Sequence, residues 1–150
     1  MSIRVRQTLN DEELNVIRGV VGVIDEVPPE KLARLDPGRV FAILTAAATA
    51  TAGMRFPGKV DSEKVAEFVD EVRGLDLDHA EALDAAAVEA VADAAHGRPE
   101  QLGGFELDTL TATMKLMTKA IMLQRGVGPE ELEKFCRSVV SLVDGLSPYD

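Results

Sequence analysis

The chain predicts an all-α protein, a single compact bundle of about six helices. Three observations predict it. Apolar residues recur every three or four positions in six stretches. Those stretches are punctuated by capping residues or prolines at their starts and by glycines or prolines at their ends. No segment between residues 9 and 146 alternates apolar and polar residues as a half-buried strand does.

The first helix is expected from Asn10 to about Glu26. Asn10 can cap it, Glu13 can reach back to the Asn10 amide, and Leu14, Ile17, Val21 and Ile24 form one stripe. Pro28 and Pro29 end it by removing backbone donors. A helical turn follows around Glu30 to Leu35. Asp36 then caps a second helix with Pro37 in its first position, running to Ala52 and stopping at Gly53. Past Arg39 this helix has no charge on any face, which places it in the middle of a bundle. A third helix starts near Ser62, buries Val65, Phe68, Val69 and Val72, and stops at Gly74.

The fourth helix is expected from Asp78 to Ala95. Its inner stripe is Ala80, Leu83, Ala87, Val91 and Ala94, its outer face carries Glu81, Asp84, Glu89 and Asp93, and Gly97 ends it. The fifth runs from Asp108 to Arg125 on a seam of Leu110, Met114, Met117 and Ile121. Gly126 and Gly128 end it. Pro129 opens a sixth helix that buries Leu132, Phe135, Cys136, Val139, Leu142, Val143 and Leu146. Residues 1–8 alternate Ile3 and Val5 with Arg4 and Arg6, as a short strand or an extended arm would.

The order of these signals is that of an internal repeat, 9–74 and 77–145. Pro29-Glu30-Lys31-Leu32 answers to Pro99-Glu100-Gln101-Leu102, and Phe68 answers to Phe135. The offset drifts from 68 at the first caps to 72 at the Asp caps and 67 at the phenylalanines. The rival reading is that caps, prolines and glycines recur in any helical chain, because helix ends demand them. A true duplication would set the second and fifth helices beside a pseudo-twofold axis.

Composition narrows the function classes. With 46% apolar residues the chain is no disordered segment. At 150 residues it can bury a core without a disulfide or metal. The formal charge is −10, of which residues 76–150 carry −8, and no lysine or arginine lies between Arg73 and Arg98. A phosphate-tracking nucleic-acid binder needs a basic face, and so does a protein adsorbed to an anionic membrane. Neither is expected. The longest uncharged run, Val40 to Met54, is too short to span a bilayer. A lone cysteine and no apolar stretch behind the N-terminal charges fit a cytoplasmic location.

Chemistry has few footholds. Asp76 with His79, and Asp93 with His96, have the spacing of half a carboxylate-bridged metal site. Such sites need inward glutamates from two further helices, and the second and fifth helices offer none beyond their caps. No metal, no cofactor and no catalytic residue is expected. Cys136 falls on an apolar seam, where a thiol behaves as a small hydrophobe. Two surfaces remain. Thr45, Thr49 and Thr113 with Met114 and Met117 would line an apolar cleft between helices 37–52 and 109–125 that takes a small molecule. Glu81, Asp84, Glu89 and Asp93 would meet a basic protein, as an acidic decoy or immunity-type partner does. Lys115 and Lys119 form a basic edge that would meet an acidic face in the same molecule or another. The leading expectation is a non-catalytic, regulatory or accessory protein acting through protein–protein contact, a homodimer or the partner of another protein. The small-molecule binder or enzyme is the alternative.

Overall fold

A computed structural model describes residues 11–78 and 80–144. The Asn10 cap, the arm 1–8, His79 and Leu146 lie outside the described residues. Among the described residues the protein is all-α, with no β-strand. Its α-helices are α1 (Asp11–Val21), α2 (Pro29–Leu32), α3 (Pro37–Arg55), α4 (Ser62–Arg73), α5 (Ala85–Ala95), α6 (Leu107–Gln124) and α7 (Pro129–Asp144). Two 3-10 segments, Ala80–Ala82 and Pro99–Gly104, flank α5. No described helix is long and apolar enough to cross a membrane. The contacts divide the chain into two units, residues 11–46 with 127–144, and residues 47–126. These divisions do not follow the sequence repeat, because the first unit joins the first helix to the last.

In the first unit α1 packs against α7. Leu14, Ile17, Val20 and Val21 are buried on α1, and Cys136, Val139, Val140 and Val143 on α7. Arginines reinforce the apolar contact. Arg18 donates to both carboxylate oxygens of Glu133, at 2.9 and 2.6 Å, and joins α1 to α7. Arg39 on α3 donates to both oxygens of Glu13, at 2.7 and 3.2 Å, and to Asp144 at 2.7 Å. Glu13 is nearly buried, so its charge requires this planar two-pronged partner.

α1 ends earlier than the proline pair predicts. Gly22 adopts φ +86°, and the Val23 amide donates back to the Arg18 carbonyl at 2.8 Å. This is a Schellman stop, in which a left-handed residue satisfies the terminal carbonyls. Ile24 therefore leaves the stripe and is exposed. The segment after the stop folds back over Gly19, where an added Cβ would lie 3.2 Å from the Glu26 Cα.

The second unit is built around α5, which packs on α4, on α6 and on the Pro99–Gly104 segment. Ala87, Val88, Ala90, Val91 and Ala92 are all fully buried, so this short helix, predicted to be amphipathic, is covered on most sides. Alanine makes that possible by letting neighbouring backbones approach closely. The start of α5 corrects the expected Asp78 cap. Asp84 is the cap, its Oδ1 accepting from the amides of Ala86 and Ala87 at 2.8 and 3.3 Å.

Other ends move less. Asp36 accepts from the Gly38 amide at 3.0 Å, and Asp61 caps α4 at Glu63. Gly53 does not stop α3, which continues to Arg55. There the Arg55 guanidinium lies 5.2 and 5.6 Å from the Phe56 and Phe68 rings, which meet edge to face at 5.7 Å. Asp108, expected as a cap, lies in the first turn of α6; Glu106 holds the cap position without a side-chain bond.

Candidate functional site

α7 carries a broad apolar arc that the fold leaves partly open. At ~100° per residue, Leu142, Phe135, Val139, Leu132, Val143, Cys136 and Val140 follow one another around roughly 160° of the helix. Packing covers one side of that arc: Cys136, Val139, Val140 and Val143 are buried. The other side is open. Leu142, 54% exposed, and Phe135, half-buried, lie there, while Leu132, half-buried, sits between Val139 and Val143 in the order around the helix, at its N-terminal end. Burial of Leu132, Phe135 and Leu142 was expected from the periodicity, and the structure corrects it. Ser138 and Glu131 border the open edge, and the Glu131–Lys134 ion pair at 3.6 Å stays in solvent. A rigid helix therefore presents an apolar edge rimmed by polar groups.

The electrostatics of the first unit serve packing. The Arg18 hydrogen bonds hold the Glu133 carboxyl below the usual carboxylate range, and Arg137 adds to the effect from 2.9 Å. Burial pushes the Cys136 thiol up to about 12, so it stays protonated and is no nucleophile at neutral pH. Among the described residues no group of three or more His, Cys, Asp and Glu is placed to hold a metal ion.

The residues singled out from the sequence fall in different settings. Thr45 lies in the first unit, and its hydroxyl donates to the Phe41 carbonyl at 2.8 Å. Thr49, Thr113, Met114 and Met117 lie in the second unit; Thr49 is half-buried and the other three are buried. The Thr51 and Thr118 hydroxyls bond carbonyls three or four residues back, the ordinary use of a buried threonine in a helix.

The four acids do not share one helical face. Glu81 sits in the 3-10 turn, Asp84 is the cap, Glu89 is half-buried, and Asp93 is nearly buried and bound by Arg98 at 3.1 Å. Lys115 is half-buried and Lys119 exposed; neither forms an ion pair among the described residues. His96, at the end of α5, holds the Phe56 carbonyl through Nε2 at 2.6 Å, so that nitrogen carries the proton and the ring ties α5 to the residue after α3. Sequence reasoning missed this tie, and no local signal marks it, because the partner lies 40 residues away. Compared with protein families, curated proteins and solved structures, the chain matches none.

Proposed function

We propose that the chain is a non-catalytic accessory or regulatory protein of the cytoplasm that works by protein–protein contact, with a second copy of itself as the first partner. The observation that carries this reading is the open edge of α7. An amphipathic helix whose apolar arc exceeds what its own fold covers is a ready contact surface, and a rim of polar residues is how such surfaces end. The same edge on two copies makes a self-complementary, two-fold contact. The strongly placed charges support the reading from the other side. Glu13, Asp93 and Glu133 are each committed to an arginine, and the Cys136 thiol stays protonated.

Light scattering coupled to size-exclusion chromatography over a wide concentration range tests this. The expected result is a mass that rises toward twice the monomer as concentration increases. A monomer mass throughout, into the high micromolar range, overturns self-association.

A further inference from the structure

The first unit holds a half-open depression of about 600 Å³ between α1, the segment that folds back from it, and the turn after α2. Its shape is set by the backbone. Gly22 closes the Schellman stop, Gly19 leaves room for the returning chain where a Cβ would crowd the Glu26 Cα, and the two prolines at 28 and 29 direct the chain into α2. Proline fixes φ at about −65° at the mouth of α2, and the depression is present without a ligand.

Its charges are segregated by element. Glu12 on α1 and Asp25 and Glu26 on the returning segment bring carboxylates; Lys31 and Arg34 bring cations from α2 and the turn beyond it. Elsewhere Arg18, Arg39, Arg55, Arg98 and Arg137 each hold a carboxylate. Lys31 and Arg34 hold none among the described residues, although three acids line the same depression. Asp25 and Glu26 thus stand with Lys31 and Arg34 around one space and form no ion pair among the described residues. Between them Ile24, Val27 and Leu35 supply apolar wall.

We propose that this depression binds a short zwitterionic peptide with aliphatic side chains. Its ammonium group meets Asp25 and Glu26, its carboxylate meets Arg34 and Lys31, and its side chains lie on the apolar wall. Arginine presents a planar fork that fits a carboxylate with two parallel bonds. The volume lies within the range of small-ligand sites, ~300–1,000 Å³, and leaves room for more than a single amino acid. The site does not depend on the α7 edge, so the two readings stand or fall separately.

Calorimetric titration of the full chain with Leu-Leu tests the proposal, alongside its N-acetylated and C-amidated forms and an Arg34→Met variant. Arg34 is exposed and makes no ion pair, so the variant should keep the wild-type helix content and melting temperature. The expected result is saturable one-to-one binding of Leu-Leu, at least about tenfold weaker for either blocked form and for the variant. No binding at concentrations on the order of 10 mM overturns the proposal. So does binding that is indifferent to blocked termini or to Arg34→Met.

Discussion

Arg39 should matter far more through Glu13 than through Asp144, although both bonds measure 2.7 Å. The difference lies in solvent. The Glu13 side chain is 10% exposed and takes two bonds from Arg39, whereas the Asp144 side chain is 48% exposed and takes one. Breaking a fully buried ion pair from one side costs ~3–5 kcal/mol, but Arg39 itself is 31% exposed, so water recovers part of that. About 2 kcal/mol is expected for Arg39→Met. An exposed pair contributes under ~1 kcal/mol, so Asp144→Asn should cost about 0.5 kcal/mol or less. In a protein of this size ~2 kcal/mol lowers the melting temperature by about 4–8 °C. Urea unfolding followed by far-ultraviolet circular dichroism reads both changes. Adding Glu13→Gln completes a cycle, and the Arg39–Glu13 coupling should exceed the Arg39–Asp144 coupling by about 1 kcal/mol or more. Equal costs for Arg39→Met and Asp144→Asn would refute the burial argument.

Three further outcomes follow from single residues. Gly53→Ala should stabilise by ~0.4–1 kcal/mol, since the position is helical with open space around it, while Gly22→Ala at φ +86° should destabilise by about 1 kcal/mol; thermal melts of the pair check the opposite signs. Arg18 lowers the Glu133 pKa below its ordinary 4.5, so the contribution of Glu133 is complete above that value and is lost as pH falls through the lowered one. The stability gap between wild type and Glu133→Gln should therefore hold from pH 7 to about 5 and close below it, as read by unfolding at stepped pH. The buried, protonated Cys136 should resist iodoacetamide at pH 8 in the native protein and react promptly in denaturant, as read by mass spectrometry.

The helices were legible where a local signal had one interpretation. Asp36-Pro37, Gly74 and Pro129 mark ends that coincide with those observed. They were misread where two signals competed. Gly22 and the proline pair 28–29 both end a helix, and the nearer one prevailed because the left-handed Gly22 lets the Val23 amide turn back onto the Arg18 carbonyl. Asp78 and Asp84 are both good caps. Starting at Ala85 is the choice that buries Ala87, Val88 and the run Ala90–Ala92, which is a tertiary outcome that no cap signal carries. Gly53 reads as a stop, yet the helix runs two residues further, to where Arg55 lies over Phe56 and Phe68. The open edge of α7 was illegible for a related reason. Periodicity shows that Leu142 is on the apolar side but not how far packing covers that side. The depression beside α1 was missed because the prolines were read as a terminator rather than as a wall.

Sedimentation equilibrium of the wild type and of Leu142→Ser tests contact through α7 most directly. Full burial of a leucine contributes ~1.5–3 kcal/mol, and Leu142 is 54% exposed in one copy, so about 1 kcal/mol per copy is at stake. In a two-fold pair that is ~2 kcal/mol, or roughly thirtyfold in the dissociation constant. The expected result is a wild-type dimer that Leu142→Ser weakens by about that factor with unchanged helix content. A wild-type protein that stays monomeric, or a dimer indifferent to the substitution, would contradict it.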